Sequence, residues 1–311
     1  MTEIVCLSAD FDLKTAFEDA FAEALPAHPL RRPDEIADPA SVRVAFAHAP
    51  PDNAFDPYPD LALVCSWGAG VDRLVDHPGL RPETTLCRMV DPGQADMMAA
   101  FAAHYVTGWH RGMFRYPAQQ AERRWELVNW TANAEVPVGL LGFGNMGAAT
   151  GRALRALGYP VAAWAGRARH EDGVEVLAGE DGLFRLLGQS RVVVACLPLT
   201  PATDGILNAR TLGAMRDDAL LVQLGRGRHL VEEDLIPALD AGRPAAAALD
   251  VFRTEPLPSD HPFWADPRIM ITPHAASSST DLAVAQAVGR AIADLEAGRS
   301  PAGAVDRTRG Y

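Results

Sequence analysis

Val136-Pro137-Val138-Gly139-Leu140-Leu141-Gly142-Phe143-Gly144-Asn145-Met146-Gly147-Ala148 is an apolar run that breaks into three spaced glycines and then enters a good helix former. Val136 to Leu141 reads as a strand, Ala148 to Leu157 as a helix, and Gly142 to Gly147 as the turn between them. In such a Gly-x-Gly-x-x-Gly turn the glycines have separate tasks. Gly142 permits the tight turn, Gly144 removes a side chain where a pyrophosphate must approach the backbone, and Gly147 lets the helix pack on the strand. The helix start adds free N–H groups and the positive end of a dipole, both favourable to phosphate. The stretch predicts a dinucleotide-binding strand–turn–helix unit.

Downstream, Val161 to Trp164, Arg191 to Leu197, Ala219 to Leu224, Ala245 to Val251 and Ile269 to Ile271 read as further strands. With the first they make six, the earlier ones separated by helical stretches, which is the pattern of a doubly wound α/β domain. Upstream, Glu3 to Leu7, Val42 to Ala47, Leu61 to Cys65 and Thr85 to Val90 read as strands, and Leu13 to Leu25 has helical spacing. These strands are apolar almost throughout, which suits a parallel sheet covered on both faces. Asp91-Pro92-Gly93 stops that pattern, and a long helix from about Gln94 to Met113 marks a domain crossing. Arg115 to Asn133 is polar and aromatic, with Trp125 and Trp130, and reads as an arm or a partner surface. The last helix, about Thr280 to Gly298, is expected to fold back on the first domain and make it discontinuous. A chain of 311 residues exceeds one ordinary core. The expected division is residues 1–92 plus 280–311 against 93–279.

Bulk composition narrows the chemistry. Hydrophobic residues make up 48% and charged residues 22%, an ordinary globular balance. A net charge of -12 argues against a general nucleic-acid binder, which needs a basic face. Of the 28 basic residues only Lys14 is a lysine, and it lies in no phosphate-loop context, so Schiff-base and NTPase chemistry are disfavoured. Cys6, Cys65, Cys87 and Cys196 form no Cys-x-x-Cys pair and sit in or beside apolar runs, reading as small buried hydrophobes without metal or disulfide. The start Met1-Thr2-Glu3-Ile4 lacks a basic n-region, and no apolar run approaches the roughly 20 residues that span a bilayer. The expected location is the cytoplasm, with no membrane association.

Three residues after the glycine turn carry candidate chemistry. Hydride delivered to a keto carbon leaves negative charge on its oxygen, and a donor must neutralise it. His274, in Thr272-Pro273-His274, follows the strand-like Ile269 to Ile271 at the carboxyl end, where α/β sites lie, and histidine changes charge near neutral pH. It is one of nine histidines, and a lone histidine is more often unreactive. Glu255, in Thr254-Glu255-Pro256, can accept a hydrogen bond from the other ring nitrogen, though a solvated loop acid fits the same spacing. Arg226, in Gly225-Arg226-Gly227, can grip a carboxylate through two N–H groups, its flanking glycines permitting close approach of a ligand. The acid that binds a ribose 2′-hydroxyl is expected about 20 residues after the turn. Ala165 stands there, followed by Arg167 and Arg169, which favours a 2′-phosphate and hence NADPH, with NADH possible.

These motifs together resemble the D-isomer-specific 2-hydroxyacid dehydrogenases, in particular the bacterial glyoxylate/hydroxypyruvate reductase A group. The likeness runs through Trp67-Gly68-Ala69-Gly70-Val71-Asp72, the Gly142 to Gly147 turn and Leu197-Pro198-Leu199-Thr200-Pro201. It continues in Leu224-Gly225-Arg226-Gly227, Leu249-Asp250-Val251-Phe252, Glu255-Pro256-Leu257-Pro258, Thr272-Pro273-His274 and the ending Val305 to Tyr311. The resemblance implies an α/β fold of two domains, a Rossmann-type doubly wound cofactor domain inserted into a smaller flavodoxin-like substrate domain. It implies that Arg226 binds the substrate carboxylate and carbonyl, that His274 is the acid/base and that Glu255 pairs with it. Trp67, Gly68, Ala69, Gly70 and Val71 would form the substrate loop, offering N–H groups to the carboxylate. The cofactor would lie along Gly142, Phe143, Gly144, Asn145, Met146 and Gly147, with Arg167, Leu197, Pro198, Leu224, Gly225, Asp250, His274 and Ala276. A homodimer is implied, the Arg115 to Asn133 arm embracing the partner. Gln223 departs from the asparagine of many members, and Ala165 from the acid of NAD-linked ones.

The expected function is NADPH-dependent reduction of glyoxylate and hydroxypyruvate to glycolate and D-glycerate. A larger 2-keto acid, such as a phenyl- or branched-chain pyruvate, is the rival substrate. A dinucleotide-sensing corepressor on the same fold needs the glycine turn but has no use for arginine, glutamate and histidine together.

Overall fold

The computed structural model describes residues 3–128 and 131–310, arranged as two compact units, Met1–Gly93 with Ser278–Tyr311, and Gln94–Ser277. The first unit holds a five-stranded sheet of β1 (Ile4–Ser8), β2 (Leu30–Arg31), β3 (Val44–His48), β4 (Leu63–Ser66) and β5 (Thr85–Cys87), in the order β2-β1-β3-β4-β5. Every pairing in it is parallel. Successive residues point to opposite faces, and both faces are apolar. Ile4, Cys6, Val44 and Phe46 pack with Phe17 and Phe21 of α1 (Leu13–Ala24) and with Val284, Val288 and Ile292 of the C-terminal helix Asp281–Glu296. Val5, Leu7, Ala45 and Val64 pack on the other side with Phe55, Tyr58, Val71 and Leu74. Asp12 caps α1, its carboxylate accepting the Thr15 N–H at 3.2 Å.

The expected strand Thr85 to Val90 stops at Cys87. Met89 is buried, but its N–H donates to Gly68 and the Arg88 N–H to Gly303, both at 2.9 Å, so the apolar run continues past the ladder into loop contacts. Asp91-Pro92-Gly93 does not break the chain before a helix. Proline lacks only an N–H that a first turn leaves unbonded, and α2 runs Pro92–His110 through it.

Within the arm, α3 (Tyr116–Ala121) forms, and the Trp125 side chain is fully exposed, at 101%. Trp130 lies outside the described residues.

The second unit is an eight-stranded Rossmann-like sheet, two strands more than the six expected. In chain order it comprises β6 (Val138–Leu141), α4 (Asn145–Ala156), β7 (Val161–Trp164), β8 (Arg169–Glu171), β9 (Val174–Leu177), α5 (Gly179–Gln189) and β10 (Val192–Ala195). It ends with α6 (Ala209–Gly213), β11 (Leu220–Gln223), α7 (Glu232–Asp240), β12 (Ala246–Leu249) and β13 (Ile269–Ile271). The order is β13-β12-β11-β10-β6-β7-β9-β8, and only the β8–β9 pair is antiparallel. The extra strands form an edge hairpin whose β8 is exposed and charged, hence without an apolar signature. In the central strands alternate residues feed separate cores. Val192, Val194, Leu220 and Val222 meet Ala102 and Val106 of α2 and Leu154 of α4, while Val193, Ala195 and Leu221 meet Leu186 of α5, Leu212 of α6 and Leu235 of α7. No helix among the described residues is long and apolar enough to cross a membrane.

Candidate active site

Strand order reverses at β6, whose neighbours β7 and β10 lie on its two sides. The crevice outside the carboxyl ends at such a reversal is where α/β sheets bind ligands. Here the glycine turn leaves β6. Gly142 has φ +98°, and a Cβ on it would stand 2.8 Å from the Cys196 carbonyl oxygen at the end of β10. A Cβ on Gly147 would stand 2.1 Å from Gly142 O, so the helix start is pressed on the turn. Gly144 differs, because nothing lies within 4 Å of the place its Cβ would take. Open space there, beside the first-turn N–H groups of the 12-residue α4, suits a pyrophosphate. The residues present therefore fit a dinucleotide.

The two arginines after β7 take different positions. Arg169 lies in β8, pairs with Glu171 at 2.6 Å and donates to the Phe143 carbonyl at 2.9 Å, bracing the glycine turn. Arg167 sits in an exposed bend between β7 and β8.

The next loops continue along the same sheet edge. After β10, Leu197 and Pro198 lie against the loop that follows β11. There Gly225 is confined, for its Cβ would lie 2.7 Å from His229 Nδ1 and 3.1 Å from Leu197 O. Gly227 is tighter still, its Cβ falling 1.8 Å from the Phe252 carbonyl carbon. The glycines flanking Arg226 thus make room for the protein itself: the His229 ring and the Phe252 backbone fill the space that the sequence reading left to a ligand. Gln223 is fully buried. Its amide bridges the turn, Oε1 accepting from Gly225 N at 3.2 Å and Nε2 donating to Arg226 O at 3.0 Å. Leu224 is buried beside it, and Arg226 Nη1 donates to Gly225 O at 2.9 Å.

The loops after β12 and β13 complete the edge. Phe252, against which Gly227 is pressed, donates its N–H to Glu255 Oε1 at 2.9 Å. Glu255 Oε2 accepts from His274 Nδ1 at 2.8 Å. Partial burial raises the Glu255 pKa, but the bonds from His274 and Phe252 and the charges of His274 and Arg226 outweigh it, leaving it below the ordinary 4.5. The group is a carboxylate at neutral pH, and a carboxylate only accepts. Nδ1 of His274 therefore carries hydrogen in either charge state, and Nε2 is the nitrogen that can gain or lose a proton.

His274 has φ +52°, a left-handed conformation rare for a side-chain-bearing residue and a source of strain at functional sites. Its N–H donates to Asp250 O at 2.8 Å. The buried Asp250 carboxylate takes the Thr272 hydroxyl at 2.7 Å, Ala275 N at 2.8 Å and Ala276 N at 2.9 Å. Both its oxygens thus clamp the loop that carries His274.

The structure brings Arg226, Glu255, His274, Asp250 and Ala276 into adjoining loops of the second unit, in line with Leu197, Pro198 and the glycine turn. Trp67 to Val71 belong to the first unit, after β4. There Ser66 Oγ accepts the Gly68 N–H and donates to Gly70 O, each at 3.3 Å. The Trp67 ring packs edge-on against Phe11 and His48, with centroids 5.1 and 4.9 Å away. Sequence reasoning missed His229 and Arg169 as supports. His229 is fully buried three residues after Arg226, and no periodicity separates it from the other histidines. The cysteines are free, and burial raises the thiols of Cys6 and Cys196 to about 12. No group of three or more His, Cys, Asp or Glu among the described residues is disposed to hold a metal ion.

Residues 103–276 match the family model of the D-isomer specific 2-hydroxyacid dehydrogenase NAD binding domain. A D-isomer specific 2-hydroxyacid dehydrogenase from Xanthobacter autotrophicus Py2, solved with NADPH and MES, is 36% identical, with a TM-score of 0.93 over 100% of this chain and 99% of that one. An NADPH-dependent glyoxylate/hydroxypyruvate reductase from Sinorhizobium meliloti, solved with NADP and sulfate, is 31% identical, with a TM-score of 0.91 over 100% of both chains. A probable 2-hydroxyacid dehydrogenase from Rhizobium etli CFN 42, solved with NADP, HEPES and L(+)-tartaric acid, is 28% identical, with a TM-score of 0.92 over 100% of both. The chain belongs to the D-isomer specific 2-hydroxyacid dehydrogenase family and is an NAD(P)-dependent enzyme that reduces a 2-keto acid.

Proposed function

We propose that the protein is an NADPH-preferring reductase that converts glyoxylate to glycolate and hydroxypyruvate to D-glycerate. The observation that carries the reading is the 2.8 Å contact between His274 Nδ1 and Glu255 Oε2, within reach of the Arg226 charge. A bound NADPH supplies the hydride. Arg226 grips the substrate carboxylate and polarises the keto group, fixing which carbon faces the nicotinamide. His274 gives its Nε2 proton to the carbonyl oxygen as charge grows there, and Glu255 stabilises the protonated ring and fixes its orientation. In the oxidation direction Nε2 takes the hydroxyl proton back. The exposed Arg167 serves the 2′-phosphate.

The name of the Sinorhizobium meliloti protein supports the choice of small keto acids. A larger 2-keto acid is the second reading, since a carboxylate grip by Arg226 sets no limit on the group that the keto carbon carries. The exposed Trp125, with Leu127 62% exposed, suits an arm covered by a second copy of the chain in a homodimer.

The test is a panel of glyoxylate, hydroxypyruvate, phenylpyruvate and branched-chain keto acids, each with NADPH and NADH, followed by loss of reduced-cofactor absorbance. The highest kcat/KM is expected for the two small acids with NADPH. A preference for phenylpyruvate would install the second reading, and a preference for NADH would remove the phosphate site.

A further inference from the structure

His229 is fully buried, yet its ring makes polar contacts at both nitrogens. Nδ1 accepts the Arg226 N–H at 3.0 Å, and Nε2 lies 3.2 Å from the Pro198 carbonyl oxygen. A peptide N–H can only donate and a carbonyl can only accept. The two contacts together require a neutral ring with its hydrogen on Nε2. The ring therefore joins the loop after β11, which carries Arg226, to the loop after β10, which carries Leu197 and Pro198.

The surroundings leave the ring one position. Gly225 lacks the side chain that would stand 2.7 Å from Nδ1. The Arg226 carbonyl is held from both sides, accepting Gln223 Nε2 at 3.0 Å and His229 N at 2.9 Å. Both peptide groups of Arg226 are thus tied to buried side chains. Pro198 O also accepts from Thr203 Oγ1 at 2.7 Å, so it keeps a partner if the ring is lost, whereas the Arg226 N–H loses this acceptor.

We infer that His229 is a positioning residue for the reaction: it sets where the Arg226 guanidinium stands relative to the cofactor-side segment Leu197–Pro198. The inference rests on the proposal that Arg226 grips the substrate carboxylate. A guanidinium displaced by about 1 Å still attracts an anion but no longer presents the keto carbon in line, and such misplacement costs up to about a hundredfold in rate.

The experiment uses the full-length enzyme with glyoxylate and NADPH. His229→Leu removes both polar contacts. The Asn amide in His229→Asn reaches only the Nδ1 position, and the longer Gln amide in His229→Gln reaches the Nε2 position. We expect His229→Leu and His229→Gln to lose about ten- to a hundredfold in kcat/KM for glyoxylate. His229→Asn should recover most of that loss. The Kd for NADPH, from quenching of protein fluorescence, should stay within about threefold of wild type in all three. Wild-type turnover in His229→Leu, equal impairment of His229→Asn and His229→Gln, or a parallel fall in NADPH affinity would overturn the inference. If His229→Leu fails to fold, the Asn–Gln pair decides alone. Arg226→Gln separates the two levels: unchanged kinetics there would remove the Arg226 reading and the inference with it. A large loss there beside a neutral His229 series would remove the inference alone.

Discussion

The turns Gly142–Gly147 and Gly225–Gly227 both leave buried strands of one sheet and both press glycines against the protein's own groups, but Gly144 of the first has no counterpart in the second. At Gly144 nothing occupies the space a Cβ would take. At Gly225 and Gly227 that space is filled, by the His229 ring and by the backbone of Phe252. The first turn leaves room for a ligand. The second uses its glycines to press Arg226 into a fixed place among the protein's own groups. A glycine beside a candidate residue therefore does not by itself signal a ligand, and what stands opposite the absent Cβ distinguishes the two cases.

Adding the missing methyl group at each turn separates open space from filled space. Gly227→Ala forces a Cβ into the Phe252 backbone, which cannot yield as a side-chain end can. We expect insoluble protein or a Tm lowered by roughly 10 °C or more. A Gly227→Ala enzyme that melts like wild type would show that this contact is not needed. Gly144→Ala should leave Tm within about 2 °C while weakening NADPH about tenfold or more, since the methyl group enters the space meant for the pyrophosphate. Unchanged NADPH affinity there would move the phosphate site elsewhere. The smallest effect lies beyond the first turn. Arg167→Ala should raise KM for NADPH about fivefold and leave NADH within about twofold, because only the former carries a 2′-phosphate. Equal changes for both cofactors would return Arg167 to the solvated surface.

Much of the sheet was legible because a parallel strand covered on both faces must be apolar throughout. β7 and β13 were read to the residue from their apolar runs, although both are only partly buried and β13 is an edge strand. The hairpin of β8 and β9 was not legible, since Arg169–Glu171 is exposed at the sheet edge and Val174–Leu177, whose burial alternates, is only four residues long. The position of His274 after a strand was readable, but its pairing with Glu255 depends on β12 and β13 lying side by side across 19 residues. The left-handed backbone at His274 and the clamp by Asp250 left no local pattern. Nor did His229, whose significance comes from the missing side chain of Gly225 and the carbonyl of Pro198, two places far apart in sequence.

The central claim is that His274 delivers the proton and Glu255 and Arg226 serve it. Its most direct measurement is the single-turnover rate of glyoxylate reduction by His274→Gln at saturating NADPH. Unchanged NADPH binding and a rate lowered by about a hundredfold to ten-thousandfold are expected. Reduction at the wild-type rate by that variant would contradict it, and the acid would then have to be another group.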